Sequence, residues 1–127
     1  MAGGERLDGA GMAKMKTLDE AILLLQRIHG LVESYAMAVK RNQPGAPFLM
    51  NIRRTLPSLG ENLKAHFGLI SDQILNVNLL ATRGGSEAAR VRVLREGVAQ
   101  IKQALEIAVT QTREKHTIRE EEKPAAE

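Results

Sequence analysis

The segment 51–63 reads NIRRTLPSLGENL and combines three differently patterned sides of one helix. Its apolar residues recur at the four-three-four spacing that stacks side chains along one side of a helix, and they are Ile52, Leu56, Leu59 and Leu63. Small polar residues follow the same spacing one position earlier, at Asn51, Thr55, Ser58 and Asn62. The remaining side carries Arg53, Arg54, Pro57, Glu61 and Lys64. The pattern predicts one side for a core, one for hydrogen bonding across a close contact, and one for water or an anionic partner.

The composition predicts a single all-α domain. The chain has 127 residues, of which 43% are hydrophobic, 26% charged and only 2% aromatic. That balance is typical of a globular chain with an aliphatic core, and its Leu-rich and Ala-rich segments favour helices over strands. Cysteine is absent, which excludes disulfides, thiol catalysis and cysteine metal sites.

Helix start and stop signals divide the chain into four helical segments. A capping box at 17–20 predicts the start of the first helix, which we expect to reach 40–41 and to end at the turn 42–47. The second predicted helix covers 48–66, with Pro57 on its charged side and Gly68 as its stop. The third covers 69–82.

The fourth predicted helix is the longest and the most regularly patterned. Ser86 is its expected N-cap, and it continues to about Lys115. Apolar residues keep heptad spacing along it, at Val91, Leu94, Val98, Ile101, Leu105 and Ala108.

Short connections between successive amphipathic helices predict an up-and-down four-helix bundle. We assign the bundle to residues 17–116, a disordered N-terminal segment to 1–16 and a charged flexible tail to 117–127. Because the apolar pattern is almost continuous from 52 to 81, three long helices with a kinked central helix are the alternative architecture.

The sequence offers no chemistry that would identify an enzyme. Neither His29 nor His66 has the Glu three residues earlier that an inward-facing di-iron motif needs. His29 and Glu33 lie one helical turn apart, but two ligands do not make a metal site. Phosphate-loop, dinucleotide-binding and nucleophile-elbow motifs are absent. We therefore expect no catalytic residues, no metal and no cofactor.

Basic residues are concentrated in the middle of the chain. The net charge is only +3, yet from 40 to 102 ten Lys and Arg stand against four acidic residues. This excess predicts a surface that attracts the phosphates of RNA or DNA with little sequence specificity. The candidate nucleic-acid-binding residues are Arg53, Arg54, Lys64, Arg83, Arg90, Arg92 and Arg95. A solvated polar surface without a ligand is the alternative.

The small polar stripe also has two interpretations. Its members either satisfy one another inside the bundle or form a subunit interface, and the candidate interface residues are Asn51, Thr55, Ser58 and Asn62. The apolar sides of the first and last helices are wider than one neighbouring helix covers, which favours a homo-oligomer. No apolar run approaches the length of a membrane helix, and we expect a cytoplasmic protein.

The second helix resembles the signature of a known bacterial family. The pattern from Ile52-Arg53-Arg54 through Ser58-Leu59 to Asn62-Leu63 is similar to the I-R-R-A-x-x-S-I-x-x-N-I-A-E-G motif of four-helix bundle proteins encoded in intervening sequences of large-subunit rRNA genes. The helix-turn layout also resembles the accessory variability determinant (Avd) proteins of diversity-generating retroelements. Lys64-Ala65-His66 stands where the motif has Ala-Glu-Gly.

The resemblance implies a non-catalytic bundle that assembles as a ring, often a pentamer. For the Avd-like members it further implies nucleic-acid binding together with a reverse transcriptase, with Arg53, Arg54 and Arg90 to Arg95 as the binding positions. Two functional hypotheses follow. The first is an oligomeric accessory protein that binds nucleic acid through phosphates, and the second is a structural or protein-interaction bundle without a nucleic-acid partner.

Overall fold

Four helices pack side by side into an all-α bundle in the computed structural model, which describes residues 5–83 and 85–119. The helices are α1 (Gly9–Lys40), α2 (Ala46–Leu63), α3 (Gly68–Thr82) and α4 (Glu87–His116). Each helix packs against the next in sequence, and α4 closes the bundle by packing against α1. The four-helix prediction is confirmed. The alternative with a kinked central helix is wrong, because the chain turns between Leu63 and Gly68 and α3 packs back against α2.

The core is aliphatic and contains one polar aromatic side chain, Tyr35. It is built from the apolar sides of all four helices, and its fully buried members are Leu18, Ala21, Ile28, Val32, Tyr35, Ile52, Leu56, Leu59, Leu63, Ile74, Ala81, Leu94, Ile101 and Leu105. The apolar stripe of the segment 51–63 is therefore core, as its spacing predicts.

The first helix begins earlier than its capping box predicts. α1 starts at Gly9, and the Asp8 carboxylate accepts a hydrogen bond of 2.7 Å from the Gly11 backbone N–H as the N-cap. The predicted start at Thr17 is wrong, because the Thr17 hydroxyl bonds back to the Ala13 carbonyl inside a continuing helix. Residues 1–4 of the predicted disordered segment lie outside the described residues.

Pro57 lies inside α2, which continues past it to Leu63. Its half-exposed position on the outer side explains this tolerance, since a proline there bends a helix around its core without ending it.

Near the end of α2 the buried Ser71 hydroxyl donates a 2.8 Å hydrogen bond to the Gly60 carbonyl. That bond satisfies a last-turn carbonyl and joins α2 to α3. Gly68 begins α3 and is not the stop of α2.

The connection into α4 follows the prediction closely. The Ser86 hydroxyl accepts a 3.1 Å hydrogen bond from the Ala89 backbone N–H, which confirms Ser86 as the N-cap. α3 and α4 then approach closely at Gly97, where an added Cβ would lie 2.6 Å from a methyl of Val77. The absence of a side chain at Gly97 therefore sets the separation of these two helices.

A short antiparallel strand pair brings together the two ends of the described chain. β1 (Glu5–Leu7) pairs with β2 (Thr117–Arg119), with Leu7 opposite Thr117. The predicted tail thus begins as a strand, and its residues 120–127 lie outside the described residues. None of the helices in the described chain has the length and apolarity that a membrane span requires.

Candidate nucleic-acid interface

The bundle has two chemically different ends. The first, which we call the two-turn end, comprises residues 33–54 and 81–96 and contains the α1–α2 turn and the α3–α4 connection. Contacts between Arg90 and Tyr35 and between Arg53 and Ala81 place these segments together. The second, which we call the terminal end, contains the α2–α3 turn and the strand pair.

Arg90 connects three elements at the two-turn end. Its Nε donates to the Ala81 carbonyl at 3.0 Å, its Nη2 to the Arg83 carbonyl at 3.3 Å, and its Nη1 to the hydroxyl of the fully buried Tyr35 at 3.2 Å. A cation at the C-terminus of α3 is favoured by the helix dipole, and its hydrogen bonds satisfy carbonyls that the helix leaves open. The hydrogen bonds of Arg90 therefore join α4 to the end of α3 and to α1.

Arg53 reaches the same carbonyl from α2. Its Nη2 lies 3.5 Å from the Ala81 oxygen, while its Nε is buried without a hydrogen-bond partner in the described structure. Two guanidinium groups therefore converge on the end of α3. Arg53 contributes positive charge here, but its half-buried side chain is only partly open to a ligand.

Arg95 is paired with a carboxylate. Its Nε and Nη2 donate to the two oxygens of Glu33 at 3.0 and 2.7 Å, in a bidentate arrangement that joins α4 to α1. These hydrogen bonds hold the pKa of Glu33 below its usual value and raise the pKa of Arg95. Both side chains are about half exposed, so the pair contributes little to stability.

The predicted Arg90–Arg92–Arg95 cluster is divided between two sides of α4. Because a helix rotates by about 100° per residue, Arg92 and Arg95 lie only about 60° apart, whereas Arg90 lies about 140–160° from both. Arg90 points toward α3, Arg95 toward α1, and Arg92 outward into solvent. Arg90 therefore does not share a surface with the other two, and the binding role of these residues stays a prediction.

Other cations at the two-turn end remain exposed. These side chains form no ion pair within residues 5–83 and 85–119, and they are Lys40, Arg41, Arg54, Arg83 and Arg92. The two-turn end holds eight Lys and Arg against three acidic residues, whereas the rest of the described chain holds nine against eight. The local excess is thus five charges against one.

Lys64, another predicted binding residue, does not belong to this surface. It is the C-cap of α2 and lies exposed at the α2–α3 turn, at the terminal end of the bundle. Conversely, Lys40 and Arg41 lie at the two-turn end but are not among the predicted binding residues. Their position at the end of α1 could have indicated them, because an antiparallel bundle brings the end of α1 close to the start of α4, which carries Arg90 and Arg92.

The small polar stripe of α2 lies at the surface. Asn51, Ser58 and Asn62 are exposed, and the half-exposed Thr55 hydroxyl donates 2.6 Å back to the Asn51 carbonyl. The stripe is thus no buried hydrogen-bonded network, and its role as an interface remains a prediction.

The terminal end is held by acid–base contacts. The Asp8 carboxylate lies 3.2 Å from Nδ1 of His116, and the Asp8 backbone N–H donates to the His116 carbonyl at 3.0 Å. Lys14 Nζ lies 3.3 Å from the other ring nitrogen. The Gly11 N–H bond, assisted by His116, lowers the pKa of Asp8.

A groove of about 440 Å³ runs between α1 and α4. Leu25, Val98 and Leu105 line it, and His29 and Glu33 lie 4.0 Å apart at its edge. Among the described residues, no three His, Asp or Glu side chains gather as metal ligands.

No protein-family model matches this chain, and comparisons with curated proteins and with solved structures give no match either. The resemblance in the second helix consequently stands on its motif alone.

Proposed function

We propose that this protein is a non-enzymatic, homo-oligomeric bundle that binds the phosphate backbone of RNA or DNA through its two-turn end. The observation that supports the proposal is the charge asymmetry between the two-turn end and the rest of the described chain. Eight Lys and Arg face three acids at one end, and five of those cations are exposed without an ion pair among the described residues. Such a concentration attracts polyanions without reading base sequence.

The rigid framework beneath these cations strengthens the argument. Arg90 fixes the end of α3 against α1 and α4, so the exposed cations stand on a backbone that is already ordered. A preordered surface loses less conformational entropy when it binds. The three aromatic residues of the chain do not form a stacking platform, because Tyr35 is buried in the core and Phe48 and Phe67 are partly buried against it. Contacts to phosphates are therefore the expected mode.

The test is a salt titration of binding to a fluorescent duplex and to a single strand. If most of the five exposed cations contact phosphates, the logarithm of the binding constant falls against the logarithm of salt with a slope of about −3 to −5. The variant Lys40→Ala/Arg54→Ala/Arg92→Ala should weaken binding about tenfold or more and reduce that slope by about three.

The matched control removes three cations from the other end. Lys16→Ala/Lys64→Ala/Arg113→Ala changes the net charge equally and leaves the two-turn end intact. Equal weakening in both triple variants would show that overall charge, not the two-turn end, causes binding. Absence of binding to the unaltered protein at about 50 mM salt would exclude the nucleic-acid role.

The resemblance to the Avd proteins supports the same proposal and extends it to a reverse transcriptase partner in a pentameric ring. A reverse transcriptase gene beside the gene for this protein is the observation that tests the extension.

A structural or protein-interaction bundle is the second candidate function. The leucines exposed on α3 favour it, because they give the protein a surface suited to another protein. Stable assembly together with no nucleic-acid binding at low salt would select this function over the first.

A further inference from the structure

α3 differs from the other helices in having almost no charge. Its fifteen residues, GLISDQILNVNLLAT, contain one ionisable side chain, Asp72. Four leucines are exposed on it, at Leu69 (87%), Leu79 (60%), Leu75 (44%) and Leu80 (36%). Large apolar side chains that are exposed together mark interaction surfaces, and protein interfaces are depleted of charge at their centres.

The bundle covers only the inner side of α3. Ser71 and Ile74 lie against α2 near Gly60, and Val77 packs against Gly97 of α4. With 100° per residue, positions 72, 76, 79, 80 and 83 then share the side that faces away from the bundle. All five residues are exposed; four of them belong to α3, and Arg83 is its C-cap. The outer side of α3 therefore carries two exposed leucines, Leu79 and Leu80, flanked by polar and charged residues, and it has no partner inside the described chain.

Two opposite charges lie at the two ends of this surface. Asp72 and Arg83 are eleven residues apart, which is about three turns or roughly 16 Å along the axis, so they lie on the same side. Both are exposed, and neither forms an ion pair within the described residues. Leu79, Leu80 and Asn76 lie between them.

This arrangement is self-complementary under a two-fold axis. When two α3 helices run antiparallel and are centred between residues 77 and 78, Asp72 of each copy lies opposite Arg83 of the other. A parallel pairing would instead place Asp72 opposite Asp72 and Arg83 opposite Arg83, which is repulsive. An isologous interface requires one surface to match itself in this way.

We propose that the outer side of α3 pairs two copies of this chain in an antiparallel, two-fold dimer. Leu79 and Leu80 lie near its centre, and two Asp72–Arg83 ion pairs close its ends. The inference rests on the homo-oligomeric part of the proposed function, replaces the pentameric ring that the resemblance implies, and is independent of nucleic-acid binding. Arg83 takes part in the dimer, and Lys40, Arg41, Arg54 and Arg92 remain for phosphates.

The first test is the mass in solution, measured by light scattering and by sedimentation over a range of concentrations. The unaltered protein should have twice the 13.9 kDa chain mass. Leu79→Glu should be a monomer and keep its helical circular dichroism, because the side chain is exposed and its replacement does not alter the core. The control is Leu23→Glu, which puts the same charge on an equally exposed leucine (66%) of α1 and should remain a dimer.

The second test is a charge reversal, which distinguishes this geometry from other dimers. Asp72→Arg and Arg83→Asp should each weaken dimerisation about tenfold or more, since each places like charges opposite one another. The double variant Asp72→Arg/Arg83→Asp should restore dimerisation to nearly its original strength.

Three results would overturn the inference. They are a monomeric unaltered protein at high concentration, a pentamer that persists in Leu79→Glu, and a double variant that fails to recover. A dimer that binds no nucleic acid would leave this interface standing and refute only the nucleic-acid proposal. A monomer that still binds nucleic acid would do the reverse.

Discussion

The two ends of the bundle are held together by different chemistry. At the two-turn end, the Arg90 guanidinium donates to two backbone carbonyls and to the buried Tyr35 hydroxyl. At the terminal end, Asp8, His116 and Lys14 share hydrogen bonds beside a three-residue strand pair. A guanidinium stays charged at every pH at which proteins fold, whereas the Asp8 carboxylate can be protonated. The contacts at the two-turn end therefore keep their charge over this pH range, whereas the terminal end is expected to open locally.

The largest expected effect comes from removing the Arg90 guanidinium at the two-turn end. Arg90→Met keeps an apolar stem of similar length but leaves the Tyr35 hydroxyl without its donor and the Ala81 carbonyl with only the 3.5 Å contact from Arg53. Buried groups that lose a charged hydrogen-bond partner typically cost about 2–3 kcal/mol. We expect a loss of that size in the free energy of unfolding, measured by urea denaturation.

Arg92→Met is the matched control for this change. Arg92 lies two residues further along α4 and is exposed, so its replacement should alter stability by less than about 0.5 kcal/mol. Equal losses in the two variants would mean that Arg90 does not fix the two-turn end.

A second effect comes from adding one methyl group at the two-turn end. In Gly45→Ala the new Cβ would lie 2.8 Å from two ring carbons of Tyr35, which is fully buried and cannot move aside. Overpacking of this kind costs about 1–3 kcal/mol. Gly30→Ala is the control, because nothing lies within 4 Å of its added Cβ in the middle of α1. It should stabilise the protein by about 0.5–1 kcal/mol, and the two changes should therefore have opposite signs in thermal unfolding.

The same methyl group should have a smaller, local effect at the terminal end. In Gly11→Ala the added Cβ would lie 2.5 Å from the Cβ of His116, so the end of α4 must shift. Because few contacts hold this end, we expect it to open while the bundle stays folded. Hydrogen exchange should accelerate at the Asp8 amide, which bonds to the His116 carbonyl, and remain slow in the α1 core. A large loss of global stability would contradict the distinction between the ends.

The smallest effect is a pH dependence confined to the terminal end. The pKa of Asp8 is lower in the folded than in the unfolded chain, mainly because the carboxylate accepts the Gly11 N–H bond. Its stabilisation is therefore complete above the range in which an ordinary aspartate titrates, and is lost as the pH falls through the lowered pKa. The melting temperatures of the unaltered protein and Asp8→Asn should differ at neutral pH and converge on acidification. A difference that persists in acid would show that the Asp8 charge is not its source.

Prediction from the sequence succeeded where local periodicity decides the structure. The stripe Ile52–Leu63, the heptads of α4 and the Ser86 N-cap depend on neighbours a few residues apart, and all are confirmed. The start of α1 was wrong because two N-cap signals compete, and the strand pair that positions Asp8 involves residues more than a hundred positions away.

The candidate site was predicted less well, for a similar physical reason. Spacing in the sequence shows that Tyr35 lies in an apolar stripe and needs a hydrogen-bond partner, but it does not identify Arg90 as that partner. The partner of Arg95 could not be predicted either, because Glu33 lies 62 positions earlier in the sequence. Which cations remain exposed is therefore a property of the tertiary structure. The charge excess itself could be predicted, because it depends only on which residues lie close to the α1–α2 turn and the α3–α4 connection in the sequence.

The register of the strand pair also sets how the chain yields to a pulling force. Glu5 lies opposite Arg119 at the outer edge, and Leu7 lies opposite Thr117 next to the bundle. Tension applied through these two ends would load one pair of hydrogen bonds at a time, from the outer edge inward, as a zipper opens. The molecule would thus peel apart between α1 and α4 at low force.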